Sequence, residues 1–164
     1  MIINKGVVEH LPDIAPQEDV QDRTMPQLRT TGHLTPYALT ALRMMTGVLF
    51  LCHGLVKLTG FPEGAQPGVQ PLASLLGISA VIEITTGALV APGLLTRPAA
   101  FIASGMMAVA YFLFHAPTSF YPVLNGGEPA ILFSFIFLLL SASGPGAFAV
   151  DSLAASPTLR RVAA

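Results

Sequence analysis

The stretch Leu72–Ala91, LASLLGISAVIEITTGALVA, decides how the rest of the chain is read. Apart from Ser74, Ser79, Thr85 and Thr86, its one polar side chain is Glu83, near the centre. A helix needs about 20 predominantly apolar residues to cross a bilayer, and this run supplies them. An ionised carboxylate at mid-depth costs between about 2.5 and more than about 10 kcal/mol, so it must be neutralised, paired or functional. The partner of Glu83 is therefore the route to function.

Composition agrees with a membrane reading. Of 164 residues, 52% are hydrophobic and 10% charged, with a mean hydropathy of +0.66, more apolar than a soluble core of this size requires. The lipid bilayer is the first expected partner. A net charge of -1 and dispersed Lys and Arg residues give no basic stripe, which sets nucleic acid aside. Cys52 is the sole cysteine, so an intrachain disulfide and Cys-based zinc or iron–sulfur sites are excluded, and no metal site is assigned. Residues 1–36 are polar, carry Pro12, Pro16, Pro26 and Pro36, and lack the apolar core and cleavage site of a signal peptide. They read as a flexible cytoplasmic tail, and residues 152–164 as a second one.

Residues 37–151 read as an all-α membrane domain, an integral four-transmembrane-helix bundle. Its spans are expected at about 37–58, 72–95, 98–116 and 129–143. The fourth is short: Pro129 suits a first helical turn, Gly144-Pro145-Gly146 ends the run, and local thinning or interfacial anchoring by Phe148 would make up the difference. Pro92-Gly93 through Arg97-Pro98 is a tight hairpin between the second and third spans. Arg23, Arg29, Arg97, Arg160 and Arg161 fall on one side, with Arg43 near the start of the first span, and the opposite loops, 59–71 and 117–127, contain no Lys or Arg. The positive-inside rule then puts both termini in the cytoplasm. Tyr111, Phe112, Phe114, Phe120 and Tyr121 would form an outer aromatic belt. Small residues at helical spacing, Gly47 with Gly54 and Ala100, Ser104 with Ala108, permit close helix contact.

Six ionisable side chains lie in or at the ends of these spans: Arg43, His53, Lys57, Glu83, His115 and Glu128. On the first helix Arg43, His53 and Lys57 project within a sector of roughly 80°, a face that should point inward. At ~1.5 Å per residue, Glu83 is near the midplane, His53 about 7 Å outward, and Lys57, His115 and Glu128 roughly 12 Å outward. Side chains lean toward the N-terminus of their own helix, which brings Glu83 and His53 together, with Lys57 as the next candidate partner. Lys57 with Glu128 would form a second pair, while Arg43 leans toward the cytoplasmic headgroups and is expected to snorkel, or to pair only through rotation of its long chain. Anchoring of helix ends is a competing explanation for Arg43, Lys57 and Glu128. Haem or metal ligation by His53 and His115 is a weaker reading than a structural histidine.

These residues and their surroundings resemble the DoxX family of small bacterial and archaeal four-helix membrane proteins. The matching stretches are Leu42-Arg43, His53-Gly54 with Lys57-Leu58, Glu83 with Gly87, and Gly93-Leu94-Leu95-Thr96-Arg97-Pro98-Ala99-Ala100. They continue with His115, Asn125-Gly126-Gly127-Glu128, Gly144-Pro145-Gly146 and Asp151, covering Leu42 to Asp151 in order. The resemblance implies a multi-pass protein of the bacterial inner membrane, associated with redox processes through a quinone- or thiosulfate-linked oxidoreductase subunit or with oxidative-stress partners. It adds Asn125 to the ligand-binding candidates His115, Glu128 and Arg43. One cysteine rules out internal thiol–disulfide exchange, and the chain has no flavin- or nucleotide-binding sequence.

Three functions compete. In the first, Glu83, His53 and Lys57 form a catalytic proton- and quinone-binding cluster of a redox-associated subunit, quinone being the leading cofactor and haem a lesser one. In the second, the protein is a non-catalytic membrane anchor or assembly subunit whose buried charges fix helix register. The third and weakest is a proton-coupled small-solute permease; four helices are few for that unless the protein forms a homo-oligomer, and no span is broken at its middle. Whether the protein is itself an enzyme is open.

Overall fold

The computed structural model describes residues 32–154. Most of the two predicted tails lies outside them. Gly32–Leu34 forms a single 3-10 turn. All regular structure among the described residues is helical: α1 Thr35–Thr59, α2 Leu75–Val90, α3 Thr96–Ala110, α4 Pro122–Asn125, α5 Glu128–Ser143 and α6 Val150–Ala154. α3 continues without a break into a π turn, Tyr111–His115.

Each end has a local cause. α1 stops where Gly60 enters the left-handed region at φ +74°, its N–H bonded to the Val56 carbonyl. Ser74 caps α2, accepting the Gly77 N–H at 3.0 Å. The second helix is thus 16 residues, shorter than the expected 72–95, because Ser74 delays its start and the turn at Pro92-Gly93 closes it early. α5 begins with Glu128-Pro129 and ends at Gly144, φ +91°. Two runs, Gly32–Thr59 and Thr96–His115, are long and apolar enough to cross a membrane; α2 and α5, at ~24 Å each, are shorter.

α1 packs chiefly on α2 and α3 chiefly on α5, with α2 against α3 and α1 against α5 closing the group. The first contact is built on glycine. A Cβ on Gly47 would lie 2.7 Å from the Ala91 nitrogen, and one on Gly87 would lie 2.8 Å from the Gly47 carbonyl oxygen. Gly54 likewise abuts Ala80 and Ile84. On the other pair, Ser104 donates to the Ser134 carbonyl at 2.9 Å and Ser134 donates back to the Ser104 carbonyl at 3.1 Å. Between them sits a core of Phe50, Val90, Ala99, Ala100, Ala103, Phe137 and Leu140, with the Phe50 and Phe137 rings edge to face at 4.7 Å. Met45, Val48, Phe101, Val109, Leu132 and Phe135 are exposed, whereas Arg43 is among the largest fully buried side chains. Apolar outside and charged within is the inverse of a soluble protein.

Arg43 corrects a sequence expectation. It does not snorkel: it is 1% exposed, and its guanidinium donates to the Val90 carbonyl at 3.5 Å and to the Phe148 carbonyl at 3.4 Å. Gly93, at φ +82°, makes room for it. The chain after α5 folds back to close this end. Val150 and Asp151 donate their N–H groups to the Pro92 and Gly93 carbonyls. The Asp151 carboxylate then accepts the N–H groups of Leu95 at 2.9 Å and Thr96 at 3.1 Å, an N-terminal cap for α3 supplied from 55 residues away. Arg97 donates to the Ser141, Ala142 and Ser143 carbonyls that α5 leaves free.

Candidate functional site

At the opposite end the helices part around a cavity of about 420 Å³. Phe50, Met107, Phe114 and Phe133 give it apolar walls, and His53, Lys57, Ser79, Glu83, His115 and the loop residue Gln66 supply its polar groups. These come from α1, α2, the π turn after α3, and the α1–α2 loop. The size falls within the range usual for small-molecule pockets.

Glu83 is paired with Lys57 and not with His53, which corrects the order expected from side-chain lean. Lys57 Nζ donates to Glu83 Oε1 at 2.5 Å and to Ser79 Oγ at 3.0 Å. The Ser79 hydroxyl proton goes to the Leu76 carbonyl at 2.8 Å, so its oxygen accepts from the ammonium. The reason is rotational. Gly54 marks the line along which α1 touches α2, and at 100° per residue Lys57 lies about 60° from that line and His53 about 100°. Glu83 and Ser79 are one turn apart on one face of α2, and the long stem of Lys57 reaches back along α1 to both. His53 turns instead toward α5, edge-on to Phe133 at 5.7 Å.

The pair is buried, the Lys57 and Glu83 side chains being 13% and 4% exposed. Only one carboxylate oxygen is served. Glu83 Oε2 is inaccessible to solvent and has no hydrogen-bonding partner among the described residues. A buried acceptor left unmade costs about 1–3 kcal/mol, more when charged.

His115 owes its position to the π turn. The Ala116 N–H reaches back five residues to the Tyr111 carbonyl at 2.9 Å, and the extra residue resets the phase of the helix end. The imidazole lies near parallel to the Tyr111 ring, and its Nδ1 is 3.0 Å from the Asn125 carbonyl oxygen. A carbonyl only accepts, so Nδ1 carries the proton of this hydrogen bond. The aromatic belt expected here is divided in consequence. Phe112, Phe114, Phe120 and Tyr121 are exposed, Phe114 also lining the cavity, while Tyr111 supports His115.

The structure brings together His53, Lys57, Glu83 and His115. It does not bring in Arg43, which is held at the closed end, or Glu128, which is exposed and does not meet Lys57. Asn125 contributes through its backbone; its side chain accepts from Gly127 N–H at 2.7 Å and donates to the Ser119 carbonyl at 2.8 Å, shaping the loop that holds His115. Sequence reading missed Ser79, whose position one turn before Glu83 was the available signal. It also missed Phe133 and Gln66, which carry none. Among the described residues no group of three or more His, Cys, Asp or Glu is placed to hold a metal ion.

Comparison with known proteins gives the same assignment from two directions. The DoxX family model matches residues 38–116. An uncharacterized protein of Haemophilus influenzae is 41% identical over 121 residues, covering 71% of this chain and 90% of that protein. The inner membrane protein YqjF of Escherichia coli is 30% identical over 120 residues, covering 68% of this chain and 87% of its own. No solved structure matches significantly. The matched region contains α2, α3, nearly all of α1 and every ionisable residue of the cavity, and the chain belongs to the DoxX family.

Proposed function

We propose that this protein is a redox-associated subunit of the bacterial inner membrane that holds a quinone-class headgroup in the cavity between Lys57, Glu83, His53 and His115. The observation that carries the reading is a buried ion pair with one carboxylate oxygen unserved, set in the wall of a cavity whose remaining lining is largely aromatic and aliphatic. A headgroup of this class needs a flat apolar slot, groups that hydrogen-bond its oxygens, and residues able to take up or release a proton. A cavity with apolar walls and His53, Lys57, Glu83 and His115 in its lining supports that reading. Lys57, Glu83 and the two histidines would orient the headgroup and exchange protons with it, and the bound group would supply the electron chemistry.

The same reading takes α1, α2, α3 with its π turn, and α5 as four spans, with both termini cytoplasmic. The apolar exterior supports it, as does the location of Arg43 and Arg97 together at the closed end. The ~24 Å lengths of α2 and α5 then imply a bilayer locally thinned around them. Redox partner subunits would dock on this frame, and the inner-membrane designation of the Escherichia coli relative favours the location.

One observation favours the anchor reading: the Lys57–Glu83 pair directly joins α1 to α2, as a purely structural lock would. Purification in mild detergent, with lipid extraction and visible spectroscopy, separates the two. Quinone co-purifying with the native protein and lost from Glu83→Gln at unchanged abundance supports the redox reading. No quinone, a featureless spectrum and a Glu83→Gln variant deficient only in abundance would leave the anchor.

A further inference from the structure

We propose that the open end of the helix group is a membrane-interface surface: the two loops there, 60–74 and 116–127, are seated in the headgroup and upper acyl region of the bilayer, not in water. This rests on the four-span reading above and adds where its outer loops lie.

Both loops are built inside out. In the first, Phe61, Val69 and Leu72 are exposed, Phe61 at 70%, whereas the Gln70 side chain is turned onto its own loop and donates to the Pro67 and Gly68 carbonyls at 3.1 and 3.3 Å. The Gln70 N–H goes to the Lys57 carbonyl at 2.7 Å, and the Phe61 N–H goes to the Thr59 hydroxyl at 3.2 Å. In the second loop Phe120, Val123 and Leu124 are exposed, Phe120 at 86%. Its polar side chains again serve the backbone: Ser119 accepts the Tyr121 N–H at 3.2 Å, and Asn125 bridges the Ser119 carbonyl and the Gly127 N–H. Loops in water turn polar side chains outward and leave backbone groups to the solvent. Spending the polar side chains on the backbone and facing the apolar ones outward suits a medium poor in hydrogen-bonding partners.

Charge points the same way. Glu63 is the one charged residue in 60–74, and 116–127 has none. Two occupants fit an exposed apolar surface of this kind, lipid and a soluble protein, and the surroundings favour lipid. A protein-docking patch is bordered by a polar rim. Here the exposed apolar exterior of α3 and its π turn, Val109, Phe112 and Leu113, leads to Phe120 with no charged residue between. Aromatic and aliphatic side chains without charge are those that settle at the boundary of headgroups and acyl chains. Gln66 and Pro67 of the first loop are exposed and also line the cavity, so its mouth faces the same boundary. A ligand passing them reaches Lys57 and Glu83 from lipid and does not cross water first.

The chain contains no Trp, so a single introduced one reports its own surroundings. The test places Phe61→Trp, Phe120→Trp and a reference in the middle of α5, Phe135→Trp, each in the full-length protein, in phosphatidylcholine vesicles with or without brominated acyl chains, and titrates acrylamide from the water. All three positions are exposed, so the larger ring displaces no core residue. Both loop variants are expected to emit at short wavelength, to lose most of their emission to lipid brominated high on the chain, and to resist acrylamide; Phe135→Trp should respond more to bromine placed deeper. Emission from either loop variant that acrylamide quenches and bromine does not, with Phe135→Trp still quenched by bromine, overturns the inference and leaves that surface to a soluble partner. If Phe135→Trp also escapes bromine, the four-span reading fails and takes the inference with it.

Discussion

The two ends of this helix group handle buried charge in opposite ways. At the closed end the buried Arg43 donates to the Val90 and Phe148 carbonyls, the half-buried Asp151 caps α3, and the exposed Arg97 caps α5; each charge meets backbone groups. At the open end Lys57 meets Glu83 directly, yet Oε2 is left over and a cavity stands beside it. Both ends bury charge at a desolvation cost. Each end also leaves buried polar atoms unpartnered, Arg43 Nε and Thr96 Oγ1 at one and Glu83 Oε2 at the other; the difference is that Glu83 belongs to the lining of a cavity and Arg43 and Thr96 do not, which separates a structural charge from a candidate binding group better than depth in the membrane does.

Substitutions can break this contrast, and the largest effect is expected at Lys57. Lys57→Met strands a carboxylate that is 4% exposed, and a loss of about 3–5 kcal/mol is expected, read as a collapse in abundance and thermal stability in detergent. Lys57→Met combined with Glu83→Leu should recover most of that stability, since an apolar pair replaces the ion pair, while ligand binding stays absent. A double variant as unstable as the single one would mean the pair's surroundings, not its charge, hold α1 to α2.

Arg43→Ala comes next. It removes the two hydrogen bonds and leaves a cavity beneath Gly93, with an expected loss of about 2–4 kcal/mol in thermal unfolding. Ligand affinity of the folded fraction should be unchanged, because Arg43 does not line the open cavity. A large fall in affinity would couple the two ends and blur the distinction.

Asp151→Ala is the smallest of the three. Loss of a charged cap on the Leu95 and Thr96 N–H groups should lower stability by about 1–2 kcal/mol, seen as a few degrees in melting temperature. No change would mean that α6 contributes nothing to closing this end.

Much of this is legible in the sequence, and the exceptions have physical causes. Helical character, the hairpin at Pro92-Gly93 and the stop at Gly144 follow from apolar length and from breakers, both local signals. Convergence of His53, Lys57, Glu83 and His115 on one cavity follows from their facing and depth. The choice of Lys57 over His53 does not, because it turns on the rotation of α1 about its axis. Gly54 and Gly87 fix that rotation by their close approach to α2 and α1, so the glycine line was the better guide than side-chain lean. The inward course of Arg43 depends on Phe148, and the cap on α3 on Asp151, contacts spanning 105 and 55 or 56 residues that no local pattern encodes. The π turn that sets His115 carries no proline or glycine to announce it.

The central claim is that Glu83 is reserved for a ligand while the charges of the closed end serve the fold. Affinity for a decyl-substituted benzoquinone and for its hydroquinone, measured side by side in the native protein, Glu83→Gln and Asp151→Ala, each with its melting temperature, tests this most directly. The account predicts affinity lost by about tenfold or more in Glu83→Gln and retained in Asp151→Ala, whose melting temperature alone falls. Equal affinity in all three proteins, or a parallel loss in both variants, would contradict it.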